Sequence, residues 1–496
     1  MTGTLKGDGS SLTGIAATNW ITNNVTANSS TTTVDLSDGN VVKFTQSADT
    51  TVSFANTGTS NIVTFIRQKD ATATARALTW PSAIKWDGGS APNLVSNQHT
   101  GDINVITLLT RDEGVTWYGG EIVEVDPAVT SLYTAGNNNY GQLGLNNRTH
   151  YSSPTQIPGN VPWDGENSLS GQGWSNSIMV VRTDGTLWAW GHNDLGQLGH
   201  NNNTNYSSPV QIPGTTWSLA MGAGEHSAAV KTDGTLWMWG KQHRGSLGQN
   251  QGPTSQYSTP VQVGSDTTWN QDASKCNGIT QNISGALKTD GTLWMWGDNE
   301  YGALGQNQHD THRSSPVQIP GTTWDKFACY LSLSMGIKTD GTLWMWGRND
   351  DGCLGQNQRE SNFPATSSPT QVPGTTWKKV DTTNRGALAV KTNGTLWAWG
   401  NNSWGQLGQN QDDIHYSSPT QIPGTSWDTC SMAGSSSLAT RTDGTVWSWG
   451  YDSYGNIGHN DNINGYSSPT QIPGTDWDYI RFGNATLLTG YKIEQA

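Results

Sequence analysis

Among the residues able to do chemistry, one close histidine pair, His309 and His312, stands just before Ser314-Ser315-Pro316. A His-x-x-His pair can share a metal when a helix aligns both rings, but no helix or strand pattern surrounds this one and no third ligand is evident, so a solvated loop without metal is expected. Asp350-Asp351 and Asp412-Asp413 could serve as acid and base or as calcium ligands. Neither has a D-x-D-x-D-G spacing or a partner that would shift a pKa, so both read as exposed turn residues. Cys276, Cys329, Cys353 and Cys430 contain no CxxC pair and read as buried free thiols. No G-x-S-x-G, Walker-type loop or H-E-x-x-H occurs, so no nucleophile or phosphate cradle is indicated. The expectation is a protein that is not an enzyme and carries no cofactor.

The elements that would position any site follow from composition. The 496 residues include 60 Gly, 25 Trp and only 13% charged residues. So much Gly with few charges argues against helical bundles and for short strands joined by turns, in more than one domain or as repeats. The net charge is −13 and no Lys/Arg-rich run occurs, so nucleic acid is not an expected partner. No apolar run reaches the roughly 18 residues that cross a bilayer, and the N-terminus lacks the charged and apolar regions of a signal peptide. Synthesis and retention in a cytoplasm, without membrane insertion, are expected.

A period of about fifty residues dominates from residue 131 onward. A G-x-[LI]-G tetrad starts at Gly141, Gly196, Gly245, Gly302, Gly352, Gly405 and Gly455, seven copies at spacings of 49 to 57. Each is followed by an S/T-P-x-Q-[IV] run and then by a Trp: Trp163, Trp217, Trp269, Trp324, Trp377, Trp427 and Trp477. Between these lies D/N-G-T-[LV]-W-x-W-G, starting at Asp184, Asp233, Asp290, Asp340, Asn393 and Asp443. Asp-Gly before a β-branched and aromatic run signals a hairpin in which both turn residues take φ > 0. Both faces of the following strand are apolar, so it must be covered on both sides. Seven such sheets packed radially make a seven-bladed β-propeller. The first unit lacks its D-G-T turn and the last ends after Trp477, so one blade is expected to draw on both termini.

The repeat resembles the regulator of chromosome condensation family of propellers across residues 131–490. That resemblance implies the fold and leaves function open, because the same propeller hosts GTPase exchange factors, inhibitors and binding platforms. The family's G-x-x-H-S segment survives clearly only in Gly222-Ala-Gly-Glu-His-Ser227.

Before residue 131, short alternating runs such as Thr32-Thr-Val-Asp-Leu36, Val41-Val-Lys-Phe44 and Ile103-Asn-Val-Ile-Thr-Leu108 suggest a small β-sandwich or jelly-roll-like domain. The all-β chain then divides into an attachment segment (1–18), this domain (19–123), a linker (124–130) and the propeller (131–496). Gly7-Asp-Gly-Ser-Ser-Leu-Thr-Gly-Ile15 and the Thr/Asn-rich strands after it resemble virion proteins of tailed bacteriophages, tail fibres above all. The resemblance implies a virion structural protein, with capsid decoration or a tail-associated scaffold as the alternative. Its N-terminal domain would join other virion proteins, as a homotrimer in a fibre, and its propeller would bind a bacterial surface glycan or protein. A GTPase exchange factor, a protein inhibitor and a polysaccharide depolymerase are the remaining rivals.

Within the propeller, the paired Trp of each blade read as inter-blade core rather than a carbohydrate platform. The residue before each G-x-[LI]-G tetrad (Tyr140, Leu195, Arg244, Tyr301, Asp351, Trp404 and Tyr454) falls in an Asn/Asp-rich turn. These form an expected ring of variable side chains on one rim, and Tyr140, Arg244, Tyr301, Trp404 and Tyr454 are the candidate binding residues. The competing reading is that each covers its own turn.

Overall fold

The computed structural model describes nine strand segments within residues 22–125. It also describes residues 129–494 apart from 159–162, 164–175, 223, 253–254, 273, 359–364, 453–454, 461–463, 475–476 and 485–486. The chain divides into two compact units, residues 1–128 with Ala496 and residues 129–495.

In the first unit, Thr22–Ala27, Val41–Gln46 and Ile62–Lys69 pair in parallel. Thr31–Asp35, Thr50–Ala55 and Leu78–Thr79 pair in parallel in a second sheet, so successive strands alternate between sheets. Ile103–Thr110 and Trp117–Val125 extend the first sheet antiparallel. In the second, Val34 and Val52 are buried while the hydroxyls of Thr33 and Ser53 meet at 2.9 Å on the exposed face. A jelly roll pairs antiparallel, and the difference has a simple origin: alternation fixes which face is apolar but carries no information on strand direction. The Gly7–Ile15 segment lies outside the described residues.

The second unit is a seven-bladed β-propeller. Blade 1 is assembled from both ends of the unit, because Val129–Gly136 pairs antiparallel with Leu487–Glu494, flanked by Tyr151–Gln156 and Trp477–Asn484. Blade 3 shows the full pattern, Trp217–Gly222, His226–Lys231, Leu236–Lys241 and Gln256–Gln262 in order. Blades 5, 6 and 7 repeat it, from Trp324, Trp377 and Trp427 respectively. In blades 2 and 4 the described residues ahead of the second strand form the bridges Trp163↔Arg182 and Trp269↔Lys288.

The D-G-T hairpin has one more loop residue than an Asp-Gly type I′ turn. In blade 2 only Gly185 takes positive φ (+76°), while Gly185 N donates to Arg182 O and Arg182 N donates to Thr186 O. That is a type I turn followed by a left-handed glycine. Asp184 keeps normal φ because its carboxylate caps the turn, accepting from Thr186 N at 2.9 Å and from Thr186 Oγ1 at 2.6 Å.

The core lies between blades. The second Trp of each motif, Trp190 through Trp449, is buried, and its Nε1 donates at 2.8–3.0 Å to the carbonyl of residue x in the preceding blade's G-x-[LI]-G. The first Trp is half-buried over its own blade, with Nε1 on the turn Thr. A Lys or Arg then sits against that ring and the ring of the blade's leading Trp, for example Arg182 over Trp188 at 3.7 Å and over Trp163 at 4.6 Å. The paired Trp therefore form core and cation-filled clusters, which removes them as an open stacking surface.

Candidate functional site

The rim that carries the G-x-[LI]-G turns is built on buried amides. Asn138, Asn193, Asn299 and Asn402 sit two residues after the glycine ending the third strand of their blades. Each Oδ1 accepts the N–H of the tetrad's apolar residue at 2.9–3.0 Å, and each Nδ2 donates to carbonyls of the following loop. Where x is Gln, its Oε1 accepts the N–H of the variable rim residue: Gln142 holds Tyr140, Gln197 holds Leu195 and Gln406 holds Trp404, all at 2.9 Å. Sequence reasoning passed over both groups, although Gly-x-Asn after the Trp strand and Gln in the tetrad were visible signals.

The variable residues reach across to the next blade. Tyr140 lies 4.3 Å from the His192 ring; Arg244 donates to Asp298 at 2.8 Å and Glu300 at 2.9 Å. Tyr301 packs under Arg348 at 5.0 Å, Asn401 donates to Asp351 at 2.9 Å, and Trp404 lies 4.4 Å from Tyr451. In all five cases the partner includes the residue directly after the W-x-W-G glycine of the following blade. These side chains thus clasp neighbouring blades, which replaces the reading that each covers its own turn. Tyr454 lies outside the described residues.

The clasp leaves them unequally available. Tyr140, Arg244 and Tyr301 are partly buried, whereas Trp404 is 50% exposed. Trp404 and Ile414 are the exposed large hydrophobic side chains among the described residues. Beside the Trp404 turn, a pocket of about 220 Å³ opens between blades 5, 6 and 7, lined by Tyr330, Thr383, Asn384, Arg385, Asn401 and Ser435 among others. Arg385 is 51% exposed there and stands 3.8–3.9 Å from the Asp350 and Asp351 carboxylates.

Most of the remaining chemistry-bearing residues have structural partners. His312 Nδ1 accepts from Asn299 N at 3.1 Å, while His309 is exposed; no group of three or more metal-ligating side chains occurs among the described residues. Asp412 and Asp413 are exposed turn residues, but Asp350 is buried and ion-paired with Arg348, a partner two residues away that the turn reading overlooked. Cys329 and Cys353 are free and buried, Cys430 free and partly so, and burial pushes all three thiols up. The Cys276 side chain falls outside the described set. His226 is buried between blades 3 and 4 with Nε2 at 2.9 Å from Ser284 Oγ, and burial brings its pKa down to about 4. Ser284 Oγ is itself committed to Ser246 O at 2.8 Å, so the pair is a buried structural link.

At the propeller's inner strands, Asp381 of blade 6 accepts from Met432 N of blade 7 at 2.9 Å, and Ser431 Oγ of blade 7 accepts from Phe482 N of blade 1 at 3.2 Å. Burial raises the Asp381 pKa, opposed by the charge of Arg481.

Family comparison adds to this geometry. A model described as the RCC1-like domain matches residues 216–488, and one for the regulator of chromosome condensation (RCC1) repeat matches residues 131–163 and 184–230. The ultraviolet-B receptor UVR8 of Arabidopsis thaliana is 37% identical over 82 residues, 16% of this chain and 18% of the receptor. The mouse X-linked retinitis pigmentosa GTPase regulator is 35% identical over 81 residues, 16% of this chain and 8% of that protein. The chain therefore spans less than a fifth of either relative. The structure of Prp20p from Saccharomyces cerevisiae, described with its binding to Gsp1p and histones, superposes with a TM-score of 0.63 at 17% identity. The superposition covers 75% of this chain and 93% of that one, and shows a shared fold.

These relatives overturn the virion assignment. They are a plant receptor, a mouse GTPase regulator and a yeast protein, and none is a tail fibre, a capsid or tail scaffold, or a host-adsorption protein. With it fall the virion partners, the bacterial glycan or surface-protein receptor, the fibre trimer and the virion location. The physical reason for the error is that Gly, Ser, Thr and Asn are demanded by any chain of short strands and tight turns, so their abundance does not identify a source.

Proposed function

The chain belongs to the RCC1-like domain family, and from that premise we propose that its propeller is a non-catalytic docking platform through which a partner protein is regulated. The observation carrying this is Trp404. Its indole packs against Tyr451 at 4.4 Å, its backbone N–H donates to Gln406 Oε1, and half of its surface is left in water. A rigid, half-exposed Trp over a polar rim has the composition of an interface anchor, because it loses little conformational entropy on binding and supplies a large apolar face. The pocket beside it, with the Arg385 guanidinium partly free, gives a partner's side chain a place to insert. The non-catalytic part rests on the rim's half-buried and buried carboxylates, among which Asp298, Asp350 and Asp351 are used in clasps and ion pairs. Regulation of a GTPase, carried in the name of the mouse relative, is the form this takes when the partner is a GTPase.

The test is affinity capture with the full chain and its Trp404→Ala variant, followed by mass spectrometry, with nucleotide release measured for any GTPase retained. Proteins held by the native chain and lost from the variant support the platform. An identical retained set with a variant of unchanged melting temperature removes it.

A further inference from the structure

We infer that the Trp404 platform receives a basic segment of its partner, with an arginine or lysine side chain laid on the open face of the indole. This rests on the docking reading above and names the chemical class of the partner. Trp404 packs against Tyr451 with the rings tilted by 46° and their centroids 4.4 Å apart, and the half of its surface that stays open offers an electron-rich ring to a cation. The loop carrying Asp412, Asp413 and Ile414 folds against the same turn: Asn402 Nδ2 donates to Gln411 O at 2.8 Å, Asp413 N donates to Asn402 O at 2.8 Å, and Asn402 N donates to His415 Nδ1 at 3.0 Å. Asp412 and Asp413 are exposed, and no Lys or Arg stands within ion-pair distance of either among the described residues.

Several rim carboxylates on other blades are neutralised. Asp298 and Glu300 share Arg244, Glu225 pairs with Lys241, and Asp350 with Arg348. Asp412 and Asp413 have no such cation among the described residues, the half-exposed Arg385 near this turn stands by Asp350 and Asp351 instead, and Ile414, 48% exposed, adds apolar surface for the stem of a long cationic side chain. An exposed indole, with two exposed carboxylates on the loop bonded to its own turn, is the complement of Arg or Lys, and a net charge of −13 draws such a segment in from a distance.

The experiment titrates the full-length protein against a fluorescein-labelled Gly/Ser peptide bearing three arginines, with the same peptide bearing three glutamates as its counterpart. Anisotropy is read at low and physiological salt. The arginine peptide is expected to bind, Trp404→Ala and the double variant Asp412→Asn/Asp413→Asn each to weaken it at least tenfold, and Trp404→Phe to keep most of the affinity. Asp310→Asn, which removes an exposed rim carboxylate from another blade, is expected to change it less than twofold. Equal binding of the glutamate peptide, an unchanged Trp404→Ala variant, or an equal loss in Asp310→Asn would overturn the inference, the last by showing diffuse attraction only. If the arginine peptide fails while Trp404→Ala still loses a captured protein, the basic class is wrong and the platform stands; if capture ignores Trp404, the platform itself has failed.

Discussion

Asn460 N donates to the carbonyl of Ser152 at 3.1 Å and Ser152 Oγ donates to Asn460 Oδ1 at 2.9 Å, joining residues 308 positions apart. The same backbone bond links every neighbouring pair, Asn146 to Ser207 and onward to Asn410 with Ser467, at 2.7–2.8 Å. Each Asn sits at positive φ, 54–59°, which lets its N–H point to the adjacent blade. Blade 7 therefore grips blade 1 as any blade grips the next, and the ring is closed by the repeat as well as by the shared sheet of blade 1.

Close approach at the tetrad makes its first glycine a sensitive position. A Cβ on Gly302 would stand 2.6 Å from Ser367 Cα, with φ at +71°. Gly302→Ala is expected to cost about 2–4 kcal/mol in denaturant unfolding. Gly264→Ala, at φ +62° but with no atom within 4 Å of its Cβ, is expected to cost only about 1 kcal/mol, the conformational part alone.

The two Trp of one motif should differ. Trp399→Phe leaves the Cys353 carbonyl without its 2.9 Å donor inside the blade interface, and a loss of about 1–3 kcal/mol is expected. Trp397→Phe removes a bond to Thr395 Oγ1 within one blade, at the half-exposed end of the cation cluster, and should cost less. Comparing chemical denaturation midpoints at constant m-value decides between them.

His226 sets a pH dependence. Its pKa is near 4 in the fold against the usual 6.5, so the unfolded chain takes up a proton there that the folded chain refuses. Stability contributed by the neutral ring is present above about pH 6.5 and is lost as pH falls towards 4, about 3 kcal/mol in all. His226→Gln should flatten that part of the stability curve measured from pH 7 to 4, and an unaltered slope would assign it to other groups.

The Arg244 clasp is exposed at 37% of its side chain, so its contribution should be small. A double-mutant cycle of Arg244→Ala with Asp298→Asn is expected to give about 0.5–1 kcal/mol of coupling, shrinking in high salt.

The sequence by itself determined the propeller. The G-x-[LI]-G tetrads, the leading Trp and the D/N-G-T turns place every blade, because close backbone approach, left-handed turns and buried aromatics each tolerate few residue types. The same local rules made the rim residues visible as variable positions between invariant ones. They could not say what Tyr140 or Trp404 touches, since the partner lies in the next blade, about one repeat further along the chain. Only the tertiary structure decided that Arg244 is consumed by Asp298 and Glu300 while Trp404 keeps half its surface open. The parallel register of residues 22–69 likewise escaped, because alternation of apolar side chains reads the same in either strand direction. Turn and burial chemistry is written in neighbouring residues; what a surface residue is free to bind depends on which distant residue has already claimed it.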